Sequence, residues 1–170
     1  MNKKIMFYKV RMTSAIAVFQ GPEVYGSVTF KENSFGTVDI YTNLSGPGLI
    51  AKGEHGFHIH EYGDLSDGCN SACAHYNPFG KSHGCPGSPI RHVGDLGNLQ
   101  IDIFGNAKYK TSDDIIQLSG EYSIIGRSLI IHANRDDCGF GGNEESLKTG
   151  NAGARIACAI IGHARPGLQC

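Results

Sequence analysis

The sequence predicts an all-β fold, and three observations point to it. Glycine is abundant, with 24 residues in a chain of 170, and tryptophan is absent. Short runs of β-branched and aromatic residues alternate with turn residues along most of the chain, as in strands joined by tight connections. No segment has an apolar stripe of helical period longer than a turn or two.

The strand predictions depend on these short runs and, in one segment, on the alternation of apolar and polar residues. The clearest case is Leu99-Gln100-Ile101-Asp102-Ile103, which alternates with period two and is followed by a Gly105-Asn106 turn. The eight predicted strands cover residues 14–20, 25–32, 36–44, 56–61, 99–104, 106–111, 128–133 and 154–162.

Two long segments without strand character interrupt this pattern, residues 62–97 and 134–153. Structureless segments of this length are uncommon in compact domains and usually carry function. Each begins just after a histidine of a predicted strand, His60 and His132. We therefore expect the functional residues to lie in these loops and at the strand ends beside them.

Length, charge and the N-terminus limit the classes of partner. A chain of 170 residues is expected to form one domain that needs no metal merely to fold. The net charge of -1 and the pI near 6.7 argue against nucleic acid or an anionic membrane as the main partner. Lys9 and Arg11 interrupt the apolar start before a signal peptide could form, and no membrane span is present, so we expect a cytoplasmic protein.

A cluster of histidines is the strongest functional signal. Five histidines fall between residues 56 and 95, a segment that ends at Asp95, and His132 ends a later apolar run. In a strand, His58 and His60 point to the same face and could bind one ion together. Such a pair alone is weak evidence, because it also occurs on ordinary polar strand faces.

Four residues of the first long loop supply three imidazole nitrogens and one carboxylate oxygen: His75, His83, His92 and Asp95. This set is typical of a closed tetrahedral zinc site with a structural ion. The ion would order a loop that has little apolar core of its own. The alternative, surface histidines in a flexible loop, accounts for one or two of these residues but not for four.

Longer motifs surround these residues along nearly the whole chain. They are Gly56-Phe57-His58-Ile59-His60-Glu61, Gly68-Cys69, His75-Tyr76-Asn77-Pro78, His83-Gly84, Arg91-His92-Val93-Gly94-Asp95-Leu96-Gly97-Asn98, Gly142-Asn143-Glu144-Glu145-Ser146 and Lys148-Thr149-Gly150-Asn151-Ala152-Gly153-Ala154-Arg155. In this order they resemble the intracellular Cu/Zn superoxide dismutases. The resemblance implies an eight-stranded Greek-key β-barrel or flattened sandwich over residues 12–170, with residues 1–11 as an N-terminal extension.

The resemblance also implies one copper and one zinc ion per subunit. The copper ligands would be His58, His60, His75 and His132. The zinc ligands would be His75, His83, His92 and Asp95. The ring of His75 would then bridge the two ions, and Asp136 would accept hydrogen bonds from one ligand of each metal.

The implied activity is superoxide dismutation, an oxidoreductase reaction that gives oxygen and hydrogen peroxide. Superoxide would alternately reduce and reoxidise the histidine-bound copper, with His75 delivering a proton. Arg155 would hold the anion beside copper, and Thr149 would restrict entry to small anions. Three further residues would shape the guiding field: Glu144, Glu145 and Lys148. For the two glutamates alone, an ordinary solvated loop is the alternative.

The six cysteines leave several pairings open. The resemblance implies one internal disulfide, between Cys69 and Cys158. The other four have no counterpart in the family and are expected to be free thiols: Cys73, Cys85, Cys138 and Cys170. A bridge between Cys73 and Cys85, which lie in the same loop, is the alternative.

A homodimer is expected from the resemblance. His163 stands where the family usually has an apolar residue at the dimer contact, and it is either an interface residue or a partly exposed terminal histidine. His55 is expected to make structural hydrogen bonds. In the family that the sequence resembles, proline near this position tends to accompany dependence on a copper chaperone. Neither Ala154 nor Ile156 beside Arg155 is proline, so the resemblance implies maturation without a chaperone.

Two other functions are alternatives to superoxide dismutation. A dismutase-like copper carrier or docking domain would be expected to lack a copper ligand or the guiding arginine. All four implied copper ligands and Arg155 are present here. A zinc-stabilised structural module would leave three histidines without a role: His58, His60 and His132.

Overall fold

The structure is a computed structural model that describes residues 13–50 and 53–165. The predicted extension, residues 1–11, and Cys170 lie outside the described residues. The prediction of an all-β chain with eight strands is confirmed. The strands are β1 (Ser14–Gln20), β2 (Tyr25–Glu32), β3 (Val38–Ser45), β4 (Glu54–His60), β5 (Asp95–Gln100), β6 (Asn106–Asp113), β7 (Ser128–His132) and β8 (Arg155–His163).

Helical structure in the described part of the chain is minor. It consists of two 3-10 turns, Pro47–Leu49 and Asn70–Ala72, and one single-turn helix, α1 (Ser146–Thr149). None of the helices in the described ranges has the length and apolar character needed to cross a membrane.

All eight strands pair antiparallel, in the spatial order β5-β4-β7-β8-β1-β2-β3-β6. Strands β5 and β6 are neighbours in the chain but stand at the two ends of this order. The sheet therefore curls until its edges approach each other as a nearly closed barrel. The long connection from β6 to β7 gives the Greek-key path, as expected.

Strands β4 and β7 are buried on both faces, whereas β1 mostly alternates between buried and more exposed positions. Phe57 and Ile59 of β4 belong to the apolar core inside the barrel. His58 and His60 alternate with them, point outward, and are nevertheless buried. An outward strand face loses contact with water only when other segments cover it, and here the two long loops do so.

One predicted strand is wrong in position. The prediction placed it at residues 99–104, but β5 covers Asp95–Gln100. Asp102 Oδ1 accepts backbone N–H groups and closes a turn, and Ile103 is 86% exposed at that turn. The alternating pattern therefore runs into the turn, whereas β5 starts earlier because its first residue pairs with His58 of β4.

Two disulfides hold the long loops. Cys69–Cys158, the pair that the resemblance implies, ties the first long loop to β8 across 89 residues of sequence. Closing a chain segment of this length contributes about 4 to 5 kcal/mol in the chain-entropy model. Cys73 is a free, exposed thiol.

The expectation of free thiols is wrong for Cys85 and Cys138, which form the second disulfide. The alternative bridge from Cys85 to Cys73 is therefore also wrong. The partners are 53 residues apart in sequence, and only the packing of the two long loops against each other brings their Cα atoms to 4.9 Å. This separation lies within the range that a disulfide spans.

A buried ion pair anchors the end of the first long loop to β6. Arg91 Nη1 donates to the backbone oxygen of Asp95 at 2.5 Å, and Nη2 lies 2.5 Å from Asp113 Oδ2. Arg91 and Asp113 are only 4% and 5% exposed. Removing either partner would leave a buried charge without compensation.

We expect Asp113→Asn to lower the free energy of unfolding by about 3 to 5 kcal/mol, because Arg91 would stay buried without its counter-ion. The matched control is Asp114→Asn, since Asp114 lies 3.8 Å from Arg91 but is 80% exposed; it should change stability by at most about 0.5 kcal/mol. Urea unfolding of both variants measures the difference. Equal stability of the two variants would show that the pair does not anchor the loop.

Candidate metal centre

Two groups of metal-binding side chains converge between the outer face of the sheet and the long loops. Within each group the ligand atoms all lie within 4.8 Å of one another, and every residue is buried. The first group is His58, His60, His75 and His132, and the second is His75, His83, His92 and Asp95. The structure thus brings together all seven residues that the sequence analysis assigned to metals, and His75 belongs to both groups.

Hydrogen bonds fix the ring orientations in the first group. Nε2 of His58 lies 2.8 Å from Asp136 Oδ2, and the Nδ1 atoms of His60 and His132 lie 2.8 and 3.1 Å from backbone carbonyl oxygens. The opposite nitrogens remain for other partners, and those of His60 and His132 are 3.3 Å apart. Hydrogen bonds of this kind decide which ring nitrogen of a ligand histidine faces a metal.

In the second group, three imidazole nitrogens surround one carboxylate oxygen. Asp95 Oδ1 lies 2.9, 3.0 and 3.1 Å from the Nδ1 atoms of His75, His83 and His92. A tetrahedral zinc ion with bonds of about 2.0 to 2.1 Å keeps its ligand atoms about 3.3 Å apart. The four atoms therefore have the chemistry and nearly the spacing of a closed zinc site.

Three buried ring nitrogens of these groups have no hydrogen-bond partner among the described residues. They are His58 Nδ1, His75 Nε2 and His83 Nδ1; the last lies 3.0 Å from Asp95 Oδ1 but without the alignment of a hydrogen bond. A buried polar atom that stays unsatisfied costs roughly 1 to 3 kcal/mol. Imidazole nitrogens bind both copper and zinc well. The residues present therefore fit two neighbouring metal ions that would satisfy these atoms.

Asp136 connects the two groups. Its buried carboxylate accepts a hydrogen bond from Nε2 of His58 and another from Nε2 of His83, each at 2.8 Å. Asn98 of β5 fixes the backbone of Asp136, since it donates to the carbonyl at 2.9 Å and accepts the N–H at 2.7 Å. The sequence predicted the role of the Asp136 carboxylate but not that of Asn98. Asn98 lies on β5 as observed, Asp95–Gln100, whereas the predicted strand began at residue 99.

The ionisation of these groups follows from burial and from the two carboxylates. Burial lowers the pKa of His58 and of His60 well below the usual value, and it lowers the pKa of His132 to about 4. For His83, burial opposes protonation, but the hydrogen bond to Asp136 and the neighbouring carboxylate of Asp95 outweigh it and raise the pKa to about 9. Hydrogen bonds likewise outweigh burial at Asp95 and keep its pKa well below the usual value. The imidazoles of the first group are therefore neutral at pH 7, whereas the carboxylates at the second group favour a positive charge there.

Backbone carbonyls of the first long loop hold the guanidinium of Arg155. Nη1 donates to the oxygens of Cys69 and Asn70 at 2.6 and 3.2 Å, and Nη2 donates to the oxygen of Cys73. The disulfide Cys69–Cys158 in turn ties this part of the loop to β8. Cys158 follows Arg155 by three residues on that strand. Burial lowers the pKa of Arg155, but a guanidinium stays charged at neutral pH.

An open cleft of about 970 Å³ leads to Arg155 and to the rings of His60, His75 and His132. The four predicted guidance residues line it: Glu144, Glu145, Lys148 and Thr149. Lys148 Nζ lies 2.6 Å from Glu144 Oε1, so these two charges largely compensate each other.

Lys81 also lines the cleft, and the sequence analysis missed it. Among the described residues, no carboxylate forms an ion pair with its ammonium group. The available signal in the sequence was its position two residues before His83, which is buried and does not itself line the cleft.

The two remaining histidines lie outside both groups. The His55 ring contacts the backbone oxygens of His132 at 2.7 Å and Leu49 at 3.3 Å, which is the structural role predicted for it. His163 is exposed near the end of β8, where it pairs with Ala15 of β1.

The chain matches the family model described as copper/zinc superoxide dismutase (SODC) over residues 24–161. The chain belongs to the copper/zinc superoxide dismutase family. A curated superoxide dismutase [Cu-Zn] from Paramecium bursaria Chlorella virus 1 is 59% identical over 152 residues, which is 89% of this chain and 79% of that protein. The superoxide dismutase [Cu-Zn] of Schizosaccharomyces pombe is 52% identical over 153 residues, covering 89% of this chain and 98% of that protein.

A solved structure supports the fold of this superoxide dismutase family member. The structure titled "Crystal Structure Analysis of the clock protein EA4" superposes with a TM-score of 0.85 at 43% identity, over 90% of this chain and 96% of that one. Membership in the family, together with the two side-chain groups, makes superoxide dismutation the activity of the chain and copper and zinc its cofactors.

Gly150→Ala should disturb the metal centre because a Cβ atom at this position would lie 1.9 Å from Asp136 Oδ1 and 2.5 Å from His83 Nε2. We expect zinc affinity, measured by competition with a chelator, to fall by roughly 10- to 100-fold. Gly142→Ala is the control, because its φ of 73° is similarly positive but its Cβ would meet nothing within 4 Å. If both variants bind zinc equally well, Asp136 does not position the zinc ligands.

Proposed function

We propose that the chain converts superoxide to oxygen and hydrogen peroxide at a copper ion next to a structural zinc ion. The proposed copper ligands are His58, His60, His75 and His132, and the proposed zinc ligands are His75, His83, His92 and Asp95. The position of the His75 ring supports this assignment most strongly. Its Nδ1 faces Asp95 at 2.9 Å, while the buried Nε2 on the opposite side of the ring has no partner among the described residues.

Copper, when bound, supplies the one-electron chemistry by which two superoxide anions and two protons become one oxygen and one hydrogen peroxide molecule. The protein holds the rings so that little reorganisation is needed. Asp136 orients His58 and His83, and His75, which lines the cleft, can carry a proton on Nε2 to the product.

Arg155 binds the substrate in this proposal. Its guanidinium lines the same cleft as His60 and His132, and three carbonyl contacts hold it in place. A fixed guanidinium in a cleft with low-dielectric walls attracts a small anion and orients it. Thr149 narrows the cleft, while Glu144, Glu145, Lys148 and Lys81 shape the field at its opening.

Arg155→Gln should lower kcat/KM for superoxide by about 10- to 100-fold and weaken its dependence on ionic strength, because the anion loses its positive partner. Both metals should stay bound, since Arg155 donates only to backbone carbonyls. Arg135→Gln is the control: it removes the same charge from an exposed ion pair with Glu54. Pulse radiolysis with metal analysis measures both variants. Unchanged kinetics in Arg155→Gln would remove its assigned role.

We also propose a homodimer formed through the outer face of β1 and β8. Ala17 pairs with Ile161, so their neighbours Val18 and Ile160 lie side by side, and each is 48% exposed. Two exposed aliphatic side chains on adjacent strands favour burial against a second copy. His163 lies on β8 three residues beyond Ile160, and its side chain is exposed in the single chain.

Ile160→Lys should shift the protein from dimer toward monomer, because a lysine placed in this contact would lose its hydration. Ile103→Lys, on the 86% exposed β5–β6 turn, should leave the dimer intact. Sedimentation equilibrium of both variants measures the subunit association. A parent protein that is monomeric, or an Ile160→Lys variant that stays fully dimeric, would contradict the proposed contact.

Residues 12–170 are proposed as the catalytic domain, residues 1–11 as an extension of it, and the cytoplasm as the compartment. Copper loading without a dedicated chaperone is part of the same proposal, supported by alanine and isoleucine, not proline, on either side of Arg155.

A further inference from the structure

The disulfide Cys85–Cys138 links the two long loops at the zinc-binding group. Cys85 follows the proposed zinc ligand His83 by two residues, and Cys138 follows Asp136 by two residues. The bridge therefore joins one backbone segment that carries a zinc ligand to another that carries the carboxylate orienting this ligand. None of the residues assigned to catalysis or substrate binding takes part in it.

The two connected segments differ in how firmly the rest of the fold holds them. The Asp136 segment is fixed to β5 by two hydrogen bonds with Asn98, and the N–H of Cys138 donates to Asp136 Oδ1 at 2.7 Å. The His83 segment belongs to no strand, and its backbone N–H donates to the oxygen of Leu147 at 2.9 Å, in the single-turn helix α1. The N–H of Gly84 donates to Asp95 Oδ2 at 3.1 Å. Asp95 is itself a proposed zinc ligand, so this hydrogen bond is part of the same site.

The other disulfide does not replace this connection. Cys69–Cys158 holds the early part of the first long loop, where the carbonyls that bind Arg155 lie. The segment around His83 is 14 positions further along the loop, beyond the bridge at residue 69. Without Cys85–Cys138, the contacts of this segment with the second long loop would be non-covalent, among them the hydrogen bonds from His83 Nε2 to Asp136 Oδ1 and from the N–H of His83 to the oxygen of Leu147.

We propose that Cys85–Cys138 is a positioning element of the zinc site: it holds His83 against Asp136 and thereby raises zinc affinity and slows zinc release. The physical reason is preorganisation, because a ligand that is already in place loses less conformational freedom when the ion binds. Both sulfur-bearing residues are only partly buried, so reductants can reach the bridge. Reduction of this one disulfide should therefore weaken zinc binding. The proposal depends on the zinc ligands proposed above.

The test compares the full-length protein with the double variant Cys85→Ser/Cys138→Ser, in which Cys69–Cys158 remains. Zinc affinity is measured by chelator competition, zinc release by stopped flow, and site geometry by the absorption spectrum of Co²⁺ bound in place of zinc. We expect roughly 10- to 100-fold weaker zinc binding, faster release and an altered Co²⁺ spectrum. Cys73→Ser, which removes the free thiol, is the control and should match the parent.

Selective reduction of the parent protein provides a second route if the double variant does not fold. Mass spectrometry after thiol labelling identifies molecules in which only Cys85 and Cys138 are reduced, and their zinc affinity should fall by a similar factor. Lower thermal stability with unchanged zinc affinity and an unchanged Co²⁺ spectrum would overturn the proposal. These assays measure zinc binding and not the reaction with superoxide. Weak zinc binding by the parent would contradict the proposed zinc ligands, whereas equal zinc binding by the parent and the double variant would contradict the role of the disulfide.

Discussion

The sharing of one imidazole ring by two metal groups is the constraint on which the rest of the structure depends. His75 belongs to both the proposed copper ligands and the proposed zinc ligands, with Nδ1 toward Asp95 and Nε2 without a protein partner among the described residues. Burying so many imidazoles and two carboxylates in one place is costly unless cations compensate them. Metal binding and the order of the two long loops are therefore coupled.

The barrel supplies the rigid side of this centre and the loops supply the rest. His58 and His60 stand on β4 and alternate with core residues, so the packing of the barrel fixes their direction. The first long loop has little apolar core, and covalent and ionic contacts hold it instead: two disulfides and the buried pair Arg91–Asp113. Because the loop has so little apolar packing, single hydrogen bonds, such as that of His83 to Asp136, determine the geometry of the site.

Much of the fold and the metal groups could be predicted because local patterns encode them. Short runs of β-branched and aromatic residues between turn residues placed β1 and β2 at their observed bounds, and the spacing of imidazoles together with the family motifs predicted the two groups of side chains that converge. The start of β5 was missed because its pairing with β4 decides it, and local alternation does not report that pairing. The bridge Cys85–Cys138 was missed for the same reason, since it depends on two loops meeting in space.

The most direct test of the shared ring is a crystal structure of the fully metallated protein, with anomalous diffraction recorded at the copper and zinc absorption edges. We expect separate copper and zinc peaks, with one nitrogen of the His75 ring about 2.0 to 2.1 Å from each ion. A His75 ring that contacts only one ion, or neither, while both sites are occupied would contradict the proposed sharing of the ring.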